Sequence, residues 1–146
     1  MIRDYCASDF SAIAAIYNAS KLDELRFEAK TFTLLPLEQD DKRRSALLAA
    51  KIFVYEKQGI IKGYSAISEN TLQSLYVAPS ARGQGIGRLL LNHALTHVKG
   101  DVTLQVVESN TPSKQLYFSC GFVDVATYDV DYNGLMVSVN KMLKHN

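Results

Sequence analysis

The chain has 146 residues, the size of one compact domain, with little left over for a second independent core. Apolar residues make up 47% and charged residues 21%, ordinary globular usage that excludes disordered, collagen-like and coiled-coil chains. Sixteen Lys plus Arg face 15 Asp plus Glu, a net charge of +1, so no global field favours nucleic acid or an anionic membrane, and any anion must be held locally.

Ile2 to Tyr5 reads as a short strand, and Ser8 can cap a helix in which Phe10, Ile13, Ile16 and Tyr17 recur at helical spacing. Residues 18 to 33 carry a mixed pattern, and Leu37 to Ala50, after Pro36, reads as helical. Ile52 to Glu56, Ile60 to Ile67 and Thr71 to Val77 are β-rich runs separated by short polar turns, an antiparallel meander that Pro79 stops. Ile86, Leu90, Ala94 and Val98 then repeat every four residues, the stripe of a helix lying on a sheet, and Gly100 closes it. Val102 to Val107 is another strand. Thr111-Pro112 opens a short helix whose C-terminal glycine is Gly121. Phe122 to Val130 and Leu135 to Leu143 flank Asn133-Gly134, a strong hairpin signal.

The most informative segment runs from Leu75 to Leu91: a strand, a proline-stopped turn, three glycines and an amphipathic helix. A helix start leaves backbone N–H groups without intrahelical partners, and glycines let a phosphate approach them closely. Arg82 and Arg88 can add charge-assisted bonds. A Walker loop needs Lys-Ser/Thr after its last glycine, and here Gly87 is followed by Arg88-Leu89. A dinucleotide fingerprint needs a glycine where Arg88 sits and a strand near the start of the chain. Neither fits, and a glycine turn that merely reverses the chain is the plain structural alternative.

Arg82-Gly-Gln-Gly-Ile-Gly87 resembles the Q/R-x-x-G-x-G/A signature of the GNAT superfamily, the acyl-CoA-dependent N-acetyltransferases. Ser109-Asn110, followed seven residues on by Tyr117 and then by Gly121-Phe122, is similar to the superfamily's later motif. The resemblance implies a GNAT-like α/β (α+β) domain over residues 1–146, with a mixed, mostly antiparallel sheet flanked by helices. It implies acetyl-CoA as co-substrate and CoA as product, the pyrophosphate lying on the loop Arg82, Gly83, Gln84, Gly85, Ile86, Gly87 and Arg88. The pantetheine arm would fill a gap beside the strand Leu75-Tyr76-Val77, hydrogen-bonding like an added strand. Asn110 and Ser113 would meet the cofactor, with an ordinary helix cap as the alternative for Asn110. Tyr117 would protonate or stabilise the departing thiolate as a general acid, the alternative being a core tyrosine.

The attacking amine must be neutral, so a base is required. Relatives that acetylate protein N-termini carry a glutamate at the position of Gln105, and an amide cannot take the proton. Glu69 and Glu108 stand near the expected gap by connectivity and are the candidate bases. Cys120 lies at the far end of the short helix, which argues against an acyl-enzyme. His93 and His97, four apart, lack a third metal ligand, and no metal is expected. Two cysteines are too few for a disulfide framework, so a reduced cytoplasm fits, and no apolar run suggests export or a membrane.

The expected reaction is acetyl transfer to a primary amine, small molecule or peptide, by direct attack. A non-catalytic acyl-CoA-binding or regulatory domain is the alternative. The acceptor side is expected from residues 20 to 40 and the 129–133 hairpin, with Asp23, Glu24, Glu28, Asp129 and Asp131 as counter-charges for a cation. No nucleic-acid or membrane partner is expected, and a homodimer is left open.

Overall fold

The computed structural model describes residues 1–146. The chain runs through β1 (Ile2–Asp4), α1 (Phe10–Asp23), α2 (Asp41–Ala49), β2 (Lys51–Lys57), β3 (Ile60–Ser68), β4 (Thr71–Val77), α3 (Ile86–Leu95), β5 (Val102–Val107), α4 (Thr111–Ser119), β6 (Val123–Tyr132) and β7 (Leu135–Lys144). All seven strands form one sheet in the order β1-β2-β3-β4-β5-β7-β6. Every neighbouring pair is antiparallel except β4 and β5, which run parallel.

The meander over residues 51–77 forms as expected, because polar turns separate strands rich in β-branched and aromatic residues. Strand alternation sorts their side chains onto two faces. Ile52 and Val54 of β2 join Ile13, Tyr17, Leu37 and Leu47 under α1 and α2. Phe53, between them in sequence, joins Leu91, Ala94, Tyr117 and Phe122 under α3 and α4. Gly63 of β3 sits where an added Cβ would lie 2.9 Å from the Tyr76 carbonyl and 3.1 Å from Leu90 Cδ1, so its missing side chain lets α3 close on the sheet. A third apolar group, Leu25 with Val107, Tyr132, Val137 and Val139, anchors the segment after α1 on the β5–β7 side.

Two sequence expectations need correction. Ser8 does not cap α1: it lies inside a 3-10 turn over Ala7–Asp9, where the Asp9 carboxylate accepts from the Cys6 N–H at 2.9 Å. Arg3 grips the same carboxylate through both terminal nitrogens at 2.8 and 2.9 Å and holds it well below the usual carboxylate range. Helix is also confined to Asp41–Ala49 rather than 37–50, with a separate 3-10 turn at Leu37–Gln39; Asp40 caps α2 by accepting from the Arg43 N–H. At the far hairpin Asn133 and Gly134 both take positive φ, 52° and 89°, the geometry that Asn-Gly favours.

Candidate active site

β4 and β5 are paired only at Thr71–Thr103 and Leu72–Leu104. Beyond that point they part, because β5 stays with β7 through Val107 while β4 stays with β3 through Val77. Gln73 is an extra residue on β4, with Leu72 facing Ile67 and Ser74 facing Ala66, and such a bulge shifts which peptide groups face which neighbour. The Ala78 N–H donates to Lys62 on the β3 side. Two-residue alternation then turns the peptide groups of Leu75 and Val77 toward the gap. A cavity of about 490 Å³ fills it.

The cavity's floor toward α3 is a row of backbone donors. The first helical bond runs from the Leu89 N–H to the Gly85 carbonyl at 3.1 Å, and the N–H groups of residues 83 to 88 find no acceptor in the protein. Gly83 and Gly85 have φ of 78° and 82°, and an added Cβ at either would meet no protein atom within 4 Å. The left-handed backbone bends the loop, and the empty space above it is open to an anion. Gly87 is already helical, and a Cβ there would make ordinary contact with Leu116 at 3.5 Å.

The two arginines do not point over this row. Arg82 donates from Nε to the Val77 carbonyl at 3.1 Å and pairs with Asp23 at 2.7 Å, reaching Ser20 as well. Arg88 donates to Ser119 Oγ at 2.9 Å and contacts Cys120 Sγ at 3.3 Å. The cradle is therefore built of main-chain amides, with Arg82 occupying a carbonyl that faces the gap.

Of the residues expected to meet the cofactor, all but Gln84 line this one cavity. Asn110 stands at the N-cap of α4 without making a capping bond; it is 6% exposed and donates to Ser113 Oγ at 3.1 Å. Tyr117 is 8% exposed and packs edge-on against Phe122, and its hydroxyl makes no hydrogen bond within the protein. Burial, with the Glu24 charge adding to it, pushes its phenol well above the ordinary value. Gln105 also lines the cavity, its carbonyl accepting from Tyr128 at 2.9 Å.

Neither candidate base lies in the cavity. Glu69 sits in the β3–β4 turn with φ of 54°, at the end where β4 and β5 are still paired. Nearness in connectivity to the split strand misled because the strands part at the other end. Glu108 is exposed, and its N–H is tied to Ser138 on β7. The carboxylates that do line the cavity are Asp23, committed to Arg82, and Glu24. Glu24 Oε2 accepts from Tyr76 at 3.1 Å, and Oε1 accepts from Tyr132 at 3.3 Å and meets Lys21 at 2.7 Å. Burial first, then the Glu24 charge, raises both phenols, so they remain donors. Glu28 is engaged with Ser109, while Asp129 and Asp131 are exposed on the hairpin and line neither large cavity.

A second cavity of about 330 Å³ shares Gln73, Ser74 and Tyr76 with the first and is completed by α2, which the sequence pattern connected with no site. No helix is long and apolar enough to cross a membrane. His93 packs edge-on and His97 at a tilt against Phe53, with ring centres 4.7 and 4.6 Å away, and neither lines either cavity.

The family model described as "Acetyltransferase (GNAT) domain" matches residues 49–124. The phosphinothricin N-acetyltransferase of Alcaligenes faecalis is 30% identical over 141 residues, covering 84% of this chain and 68% of that one. The peptidyl-lysine N-acetyltransferase YjaB of Salmonella typhimurium is 36% identical over 69 residues; the match spans about half of each, 47% in both cases. The structure of yncA from Salmonella typhimurium with its cofactor acetyl-CoA superposes with a TM-score of 0.77 at 24% identity, covering 99% of this chain and 92% of that one.

Proposed function

This chain belongs to the GNAT acetyltransferases, and from that membership we propose that it moves acetyl from acetyl-CoA to a primary amine, of a small molecule or a peptide, by direct attack. The observation that carries the reading is the row of N–H groups, residues 83 to 88, left without acceptors beside the one gap in the sheet. Those amides suit a pyrophosphate, since aligned donors at a helix start neutralise phosphate charge without needing a cationic side chain. The gap-facing peptide groups of Leu75 and Val77 suit an extended arm bonded as an added strand. Arg82 Nε must then yield the Val77 carbonyl or share it.

Acetyl-CoA supplies the thioester; the amine nitrogen forms a C–N bond to its carbonyl carbon, and the C–S bond breaks with sulfur leaving as thiolate. Glu24 is the carboxylate we place beside the amine, where it holds the ammonium and takes its proton, directly or through water. Lys21, Tyr76 and Tyr132 fix that carboxylate's position. Tyr117 donates its hydroxyl to the leaving sulfur. A phenol raised by burial stays protonated at neutral pH and stabilises the thiolate by a hydrogen bond, while solvent passes the nitrogen's proton to the sulfur.

A cavity that continues past the gap to Glu24 has no use in a domain that only binds acyl-CoA. The test is CoA release, followed with a thiol reagent, from acetyl-CoA and a panel of amino acids, polyamines, aminoglycosides and lysine peptides. Amine-dependent release is expected. Tight acetyl-CoA binding with no release from any amine identifies a binding domain instead.

A further inference from the structure

The second cavity is cationic. Its lining contains Lys21, Lys42 and Arg43 and no carboxylate, on an apolar floor that includes the buried Leu37 and Leu47. Charges on the packed elements answer these cations from behind. Glu24 takes Lys21 at 2.7 Å, and Asp40 meets Arg43 through Nε at 3.4 Å. The terminal nitrogens of Arg43 have no carboxylate partner, and Lys42 forms no ion pair.

Arg43 and Glu24 are also brought to one tyrosine. The Arg43 guanidinium carbon lies 5.9 Å and Lys21 Nζ 5.3 Å from the centre of the Tyr132 ring, whose hydroxyl donates to Glu24. The two cavities share Gln73, Ser74 and Tyr76, so from the gap side to the α2 side the lining runs from the Glu24 carboxylate to the Arg43 guanidinium, whose terminal nitrogens have no carboxylate partner. That sequence suits an ammonium followed by an acid group, and it opposes a polyamine, whose second cation would face Lys42 and Arg43.

We propose that this second cavity is the acid-binding subsite of the acceptor: the acceptor is a small free amino acid, its carboxylate on the Arg43 fork and Lys42 and its amino group beside Glu24. The subsite rests on the acetyl-transfer reading for the placement of the amine. A planar fork matches a carboxylate with two parallel bonds, which a lone ammonium does not, so Arg43 carries more of the recognition than Lys42. The Arg43 side chain is 41% exposed, so solvent weakens its charge, and recognition depends on paired geometry rather than on field alone.

The experiment titrates free L-amino acids (leucine, methionine, glutamate and lysine among them), each against its own α-amide, into the protein with CoA by calorimetry. CoA release is measured on the same set. Wild type is expected to bind at least one acid about tenfold or more tighter than its amide. Arg43→Gln should raise the Kd and KM of that acid by at least about tenfold, a larger change than any in kcat, with acetyl-CoA affinity unchanged and Arg43→Lys recovering part of the loss. Amides or polyamines bound as well as acids, or an Arg43→Gln protein that keeps full affinity for the acid, overturns the subsite. Acid-blind binding with CoA release from amides leaves acetyl transfer standing, whereas acid-selective binding with no CoA release overturns the transfer and keeps the subsite.

Discussion

At the scale of single residues, the surroundings of Tyr117 and Glu24 set them apart from other residues of their type. Eight tyrosines are present. Five of them, Tyr17, Tyr64, Tyr76, Tyr117 and Tyr132, feel the Glu24 charge, and for Tyr76, Tyr117 and Tyr132 it is the largest effect after burial. Two spend their hydroxyls on that carboxylate, and Tyr117 keeps its own free at the gap. Tyr117→Phe removes that hydroxyl while the ring keeps its contact with Phe122. Packing should hardly change, and single-turnover rates should fall by about 10²–10³-fold, the range for losing one hydrogen-bond donor to developing charge, with acetyl-CoA affinity moved only modestly. Rates within about twofold of wild type in a folded protein with a verified acceptor would make Tyr117 a core tyrosine. The resemblance to the GNAT motif, with a tyrosine seven positions after Asn110, pointed to Tyr117. The residue pattern offered Glu24 only as one of several counter-charges, since a carboxylate near a helix end is ordinary in sequence.

At the scale of elements, the loop into α3 separates two uses of glycine. Gly85 adopts φ of 82° and caps the helix from a left-handed conformation, so a side chain there costs backbone energy besides any obstruction of a ligand. Gly87 lies within the helix and would place a Cβ in ordinary contact with Leu116. Gly87→Ala should therefore be neutral or raise stability by up to about 1 kcal/mol and retain CoA binding. Gly85→Val should lose about 1–3 kcal/mol through strain at a β-branched residue, and weaken CoA binding further than Gly85→Ala. Thermal melts and CoA titrations of the three variants check this. Equal CoA affinity across all three would mean that the loop only reverses the chain. The same local rules made most of the architecture legible: the meander, the α3 stripe and the Asn-Gly hairpin each depend on residues a few positions apart.

At the scale of the whole molecule, the gap between β4 and β5 is an incomplete part of a seven-stranded sheet, with main-chain groups facing a cavity rather than a neighbour. A ligand that completes the ladder binds the folded chain alone and stabilises it by mass action. At about 100 times its Kd, acetyl-CoA or CoA should add roughly 2.7 kcal/mol, or roughly 5–11 °C in Tm, while ATP and NAD add little. Equal shifts from NAD would remove the case for a CoA cradle. Arg82 belongs to this scale too, since its bonds to Asp23, Ser20 and Val77 tie α1 to the far end of β4 and place α1's last turn over the gap.

From the sequence alone came whatever depends on neighbours along the chain: the strands and turns of the meander, the glycine row before α3, and the Asn110 to Tyr117 spacing. Those signals act over a helical turn or a hairpin, where propensity, capping and backbone freedom decide. Only the tertiary structure decided where the sheet opens, that Glu69 lies at its closed end, and that Glu24 meets both Tyr76 and Tyr132, respectively 52 and 108 residues away. It also brought Arg43 of α2 to the same ring as Lys21 of α1. The strand bulge at Gln73 and the layering of α1 and α2 on one sheet face set those meetings. They are products of register and packing between distant segments, and no periodicity within either segment encodes them.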